Sequence, residues 1–306
     1  MIHPKRSFSR YLNIRKLHPV AITAQDTVNV FFNNGEDQYD ITDFHALISL
    51  KPFTIAINAA AIKFLNPENG ILHIATNETL LGKLHLQSAG LEKFNGNTLC
   101  IFEAKLSYHP LSFFAALWNS ILLSLKNSTN KKSQNFVVPP KDLLKLFVFS
   151  LKPRPVFLVS VQHQNGFDVF PVDIAGCISD THRIFSIRTT SAAIPHILAT
   201  KKICSSSVPY EQRHAVYQLG RHHAGGIIPQ EAATMEFIPS TQWKIPVPAF
   251  AIQTNELLLE HTFQKGVHSQ FIFRVANSYQ LNTGLELGYT PWFNRNYFKN
   301  SFDLPK

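Results

Sequence analysis

A mainly β fold with flanking helices is what this sequence predicts, on three observations. Twenty-five phenylalanines and eighteen prolines stand among 306 residues, in and around many short Val/Ile/Phe runs; β-branched and aromatic side chains suit a pleated, half-buried surface. Long stretches with the 3.6-residue period of an amphipathic helix are few. The dipeptide Asn165-Gly166 lies between the apolar runs 156–161 and 167–172, and Asn-Gly supplies the positive φ values of a tight antiparallel hairpin.

The chain opens on a basic stretch, in which Lys5, Arg6, Arg10, Arg15 and Lys16 precede the first acidic residue, Asp26. Pro4, Pro19 and the lack of helical amphipathicity favour a solvated arm over a nucleic-acid arm or a targeting segment. Runs 70–75 and 98–104 read as strands. Residues 111–125 form an apolar stretch in which Phe114, Leu117, Trp118, Ile121, Leu122 and Leu125 recur at helical spacing. That is too short for a membrane span and favours a buried helix over interfacial attachment. Residues 126–135 then read as an exposed linker closed by Pro139-Pro140. The expected organisation is a β-rich unit over 1–126, a linker over 127–140 and a second unit over 141–306.

In the second unit the hairpin is followed by a loop holding Gly176, Ser179, Asp180 and Thr181, then by a strand at 184–187. That strand ends in Arg188-Thr189-Thr190-Ser191. Thr190 or Ser191 is expected to cap a helix with Ile194, Ile197 and Leu198 on one face and Lys201 and Lys202 at its carboxyl end. A cation, hydroxyls and the unpaired N–H groups of a first helical turn suit a phosphate, although capping alone also accounts for the hydroxyls.

From Arg154 to about Asn277 the order of elements resembles the flavin reductase-like, FMN-binding split-barrel family. The resemblance is carried by an Arg-Pro-Val opening strand (154–156), the hairpin, Phe170-Pro171-Val172-Asp173, and the strand entering Arg188-Thr189-Thr190-Ser191. Pro248-Ala249-Phe250-Ala251-Ile252 is similar to a later core strand of the family, and the turn Gly266-Val267-His268 to the turn entering its next strand. The helix-like run 215–223 is similar to a less characterised branch. The chain departs from the family pattern at Asp173, where relatives often carry Ser or Thr, and at Phe273, where they often carry Gly.

The resemblance implies an FMN-binding split β-barrel, with the flavin along the backbone of Val172, Asp173 and Ile174, its phosphate at Arg188, Thr189, Thr190 and Ser191, and His268 facing the cofactor or a nicotinamide. It implies an oxidoreductase that takes electrons from NADH or NADPH. The alternative is a non-catalytic barrel module holding FMN or another ligand such as haem. Residues 39–57 echo 167–187, which suggests a second, diverged barrel-like unit; the partner is then either a second copy in a homodimer or an internal pseudo-dimer. There Asn58-Ala59-Ala60-Ala61 stands where Arg188 to Ser191 would be.

Other functions fit less well. The net charge of +9 is spread over both halves, which argues against nucleic acid as a partner. Three cysteines without CxxC spacing suit a reducing cytoplasm, and no apolar core follows the first basic residues as a secretory signal would require. His214, His222 and His223 lack the spacing of a helical metal site, so no metal is expected. No GxSxG elbow, Gly-rich phosphate loop or paired carboxylates occur, and Cys177 reads as an inert buried thiol.

Overall fold

The computed structural model describes residues 17–22, 28–35, 37–63, 67–77, 79–108, 121, 139–164, 166–220 and 235–291. The fold is mainly β with flanking helices. The basic arm and nearly all of the apolar stretch and linker expected over 111–135 lie outside these residues, as do Asn165 and the 221–223 run.

Two seven-stranded antiparallel sheets dominate. The first is built from β2 (Asn29–Asn33), β3 (Gln38–Asp40), β4 (His45–Leu50), β5 (Phe53–Asn58), β6 (Asn69–Ala75), β7 (Leu80–Phe94) and β8 (Asn97–Tyr108), with the four-residue helix α1 (Ala59–Ile62) after β5. Its order is β3-β2-β6-β7-β8-β5-β4. The second contains β10 (Phe157–His163), β11 (Gly166–Val172), β12 (Ala175–Cys177), β13 (His182–Arg188), β14 (Lys202–Ser207), β17 (Gln253–Lys265) and β18 (His268–Gln280), with helix α3 (Ala193–Thr200) after β13. Its order is β11-β10-β14-β17-β18-β13-β12. Strand for strand, from β2 matched to β10 through β8 matched to β18, the two orders are identical, and a helix follows the equivalent strands β5 and β13 in both.

The β10–β11 hairpin pairs His163 with Gly166, whose φ of +137° is the conformation the Asn-Gly signal requires. Strand β9 (Arg154–Pro155) joins a small sheet with β1 (His18–Ile22) and β19 (Glu286–Thr290), which ties the first described strand to the last. Helix α2 (Pro140–Phe149) buries Leu143, Leu146, Phe147 and Val148 in the core of the first sheet, together with Phe32, Phe53 and Phe102. The boundary expected at 141 therefore cuts off a helix whose apolar face belongs to the preceding unit. A 3-10 turn over Tyr210–Gln212 leads into α4 (Arg213–Leu219), and β15 (Phe237–Pro239) pairs with β16 (Pro246–Pro248).

A third apolar cluster draws on both sheets. Ala46, Ile48, Ala56, Phe94, Leu99 and Ile101 of the first pack with Ile178, Ile184 and Ile272 of the second. Hydrogen bonds cross beside it in both directions: Asn58 Nδ2 donates to the Ile178 carbonyl at 2.5 Å, and Gln270 Nε2 to the Ile48 carbonyl at 2.7 Å.

Candidate functional site

Alternation along two strands places the expected site residues on one face. On β13, Phe185 and Ile187 point into the second sheet's own core, so Ile184, Ser186 and Arg188 point the other way, toward the first sheet; Ile184 lies in the shared cluster. On β18, Phe271 and Phe273 take the core side, leaving His268, Gln270 and Ile272 on the shared face. Arg188 and His268 stand directly opposite each other in the ladder. The Arg188 side chain is exposed, whereas His268 is only 2% exposed and its Nδ1 has no hydrogen-bond partner. Burial pushes the His268 imidazole down to about 4, with Arg188 adding to the shift and Asp173 opposing it. It is therefore neutral at pH 7.

The segment after Arg188 departs from the expected helix cap. Helix α3 begins at Ala193 with Ala192 as its N-cap, and no side chain caps it. Ser191 Oγ accepts only a 3.4 Å bond from the Ala193 N–H, and the turn is closed by the backbone instead, the Ser191 N–H donating to the Arg188 carbonyl at 2.9 Å. Thr189 and Thr190 are exposed. Their hydroxyls, and the backbone N–H groups of Thr190 and Ala192, make no hydrogen bond among the described residues. On the helix itself Ala193 and Ile197 are buried, but Leu198, expected on the apolar face, is 46% exposed.

Val172 ends β11 with its side chain in the second core, and Ile174 puts its side chain into the core of the first sheet. Between them, Asp173 is held by a fork. Arg154 Nη1 donates to its carbonyl oxygen at 2.9 Å and Nη2 to its carboxylate at 3.1 Å. Arg154 is 6% exposed, so its charge needs that partner. Nearby, burial and a hydrogen bond with Tyr217 raise the Tyr289 phenol well above its ordinary range. The Asp173 carboxylate is thus already paired.

No protein-family model matches the chain, and no curated protein does. Among solved structures, the chain is similar to an FMN-binding protein from Thermus thermophilus (20% identity over 42% of this chain and 71% of that one, TM-score 0.37). It is also similar to an NADH:FAD oxidoreductase of Streptomyces globisporus (16% identity, 51% and 94% covered, TM-score 0.44) and to the styrene monooxygenase flavin reductase of Pseudomonas putida S12 (17% identity, 48% and 92%, TM-score 0.41). The chain resembles the flavin reductase-like split barrels. At these identities the likeness is one of fold and nothing finer.

The residues present fit a phosphate ester. Arg188 is an exposed cation, Thr189, Thr190 and Ser191 offer hydroxyls, two backbone N–H groups are unspent, and the orphaned His268 nitrogen lies beside them. Two departures from the family pattern change meaning. Asp173 is engaged by Arg154, and Phe273 is fully buried among Phe185 and Phe271, on the opposite face of β18 from His268. Pro248 to Ile252, expected as a core strand, instead ends β16 at Pro248 and turns over 249–252, closed by the Ala251 N–H on the Pro248 carbonyl at 3.0 Å; the core strand is β17, which starts at Gln253. The sequence reading missed the role of Arg154 toward Asp173, and also missed the β4–β5 turn, whose Lys51 carbonyl and Ser49 hydroxyl press on Gly266 beside His268. The echo between 39–57 and 167–187 was the signal for the second of these. A cleft of about 830 Å³ opens elsewhere, along His196 and Thr200 of α3 toward Trp243.

Proposed function

We propose that this chain is an FMN-binding flavoprotein that passes hydride from NADH or NADPH in the manner of a flavin reductase. One observation carries the reading: an exposed cradle, Arg188 to Ala192, adjoins a buried, neutral, unpartnered His268 on the face shared by two packed sheets. Bound FMN would supply the hydride acceptor. Arg188 would bind and orient its phosphate, with Thr189, Thr190 and Ser191 sharing the remaining oxygens. The backbone from Val172 to Ile174 would form the edge for the ring, since the N–H groups of Asp173 and Ile174 make no hydrogen bond among the described residues. Ile174 and the first sheet would exclude water from that edge.

The test is spectroscopic. The purified chain titrated with FMN should perturb the flavin absorption bands, and NADH or NADPH should bleach them under anaerobic conditions. A chain that leaves the FMN spectrum unchanged at millimolar flavin sinks the reading. A second reading, a module that holds its ligand without turnover, is favoured by the unpartnered Nδ1 of His268, which could hold a haem iron as well as contact a phosphate. A Soret band on adding haem, lost in His268→Ala, with no flavin response, would establish it.

A further inference from the structure

We infer that the chain is a fused pair. The amino-terminal sheet takes the place that a second copy would take against the carboxyl-terminal one, has no equivalent anion site among its described residues, and walls the site of its neighbour. The inference rests on the functional reading only for the identity of the ligand.

Seven strands run in the same order in both sheets, and the equivalent strands β7 and β17 touch each other reciprocally. Glu92 of β7 meets His261 of β17 at 2.6 Å, and Lys265, which holds the position on β17 that Glu92 holds on β7, donates to the Ala89 carbonyl of β7 at 3.0 Å. That reciprocity is the mark of an isologous interface, in which the same patch is used twice. Asn95 Nδ2 adds a bond to Glu260 at 2.7 Å, and the Ile48 and Ile178 carbonyls accept from Gln270 and Asn58 across the same contact.

The two ends of that interface differ in chemistry. At the end of β13 stand Arg188 and, opposite, His268; at the end of the equivalent strand β5 stand Asn58 and, opposite, Leu99. Four residues, 189 to 192, separate β13 from α3, whereas β5 runs directly into α1. Asn58 spends its side chain on both sides, accepting from the Ala60 N–H at 2.9 Å and donating to Ile178. Leu99 is 1% exposed in the shared cluster. One end is therefore open and cationic, and the other is apolar and sealed.

The first unit is also placed to shape the open end. Gly266, at φ +59°, turns β17 into β18 two residues before His268, and a methyl group there would land on the Lys51 carbonyl oxygen and, at 2.5 Å, on Ser49 Oγ. The β4–β5 turn thus sits directly on the loop that carries His268. Gly96 occupies the equivalent β7–β8 turn of the first unit at φ +79°, with nothing within 4 Å of such a methyl. It is a built-in control, because alanine meets the same unfavourable backbone region there without touching a neighbour.

The experiment uses the full chain. Calorimetric titration with FMN should give one site per chain, and sedimentation should give the mass of one chain with and without FMN. Gly266→Ala should bind FMN about tenfold more weakly than Gly96→Ala and melt at a lower temperature. Two FMN per chain, or an obligate dimer, overturns the inference, as does equal behaviour of the two variants. If FMN does not bind at all, the flavin reading fails by itself; a single-chain mass with a lower melting temperature for Gly266→Ala than for Gly96→Ala still supports the fused pair, and a dimer or equal melting refutes it.

Discussion

His268 concentrates the chemistry of the site, and its titration is measurable without any ligand. Its folded pKa, about 4, lies below the ordinary 6.5. The unfolded chain therefore takes up the proton more readily, and the stability His268 contributes is complete above pH 6.5 and is lost as pH falls toward 4. His45, held down to about 4 by burial, contributes in the same window. The melting temperature of the ligand-free chain should fall on acidification from pH 6.5 to 4, and His268→Phe should flatten part of that slope while His45 keeps the rest; an unchanged slope would remove His268 from the account. Arg188 predicts a different selectivity. An exposed cation that meets only the phosphate should, when changed to Ala, weaken FMN by roughly tenfold or more, the worth of one charge-assisted hydrogen bond. Riboflavin, which lacks the phosphate, should bind as before, and equal losses on both ligands would contradict the role. Arg154 acts one step further back. Arg154→Leu leaves the Asp173 carboxylate unpaired near the cradle and should weaken FMN roughly tenfold through charge repulsion. Adding Asp173→Asn should restore most of it, and failure of that rescue would show that Arg154 matters only for packing.

Elements whose information is local were legible in the sequence. The Asn-Gly signal set the β10–β11 hairpin. Elements decided by neighbours were not. Pro248 to Ile252 has the composition of a strand, yet the backbone turns there and the ladder starts at Gln253. Ser191 has the side chain of a cap, but the turn from Arg188 to Ser191 shifts the helix start past it. Helix α2 shows an apolar face, but nothing in its own residues says which core receives it. The same limit applied to β12, a three-residue strand whose importance comes from what it touches. Gly176 lies so close to β4 that a methyl group would stand 2.8 Å from both the His45 carbonyl and the Ala46 Cβ. The obstacle on one side is backbone, which cannot rotate away. Gly176→Ala should cost about 1–3 kcal/mol, as overpacking in a fixed interior does. A denaturation midpoint equal to that of the unchanged chain would mean that the two sheets slide apart easily at β12.

At the scale of the whole molecule the question is whether two sheets of the same order unfold as two bodies or as one. Each has a core of its own, around Phe32, Phe53 and Phe102 in the first and Phe185, Phe271 and Phe273 in the second. Either could melt alone if only the rim joined them. The Asn95–Glu260 and His261–Glu92 contacts lie at or near the surface, where such pairs contribute about 0–1 kcal/mol each. The shared cluster is of another order. Ile48, Ile184 and Ile272 are fully buried there, and a buried aliphatic side chain contributes about 1.5–3 kcal/mol. Separating the sheets would expose them and would also strip the Ile48 and Ile178 carbonyls of their donors. Two further ties cross between the units: Ile174 of the second lies in the first core, and Lys152 Nζ donates to the Thr42 carbonyl at 3.1 Å. The interface terms exceed what the rim alone supplies, so unfolding in urea should be one cooperative transition, with far-UV circular dichroism and tryptophan fluorescence falling on the same curve. Ile272→Ala, which removes side-chain volume from the shared cluster without touching Phe271 or Phe273, should split that curve or lower its midpoint by about 2–5 kcal/mol of stability. Two well-separated transitions in the unchanged chain would show that the sheets are independent bodies and that the shared face is too weak to hold a site.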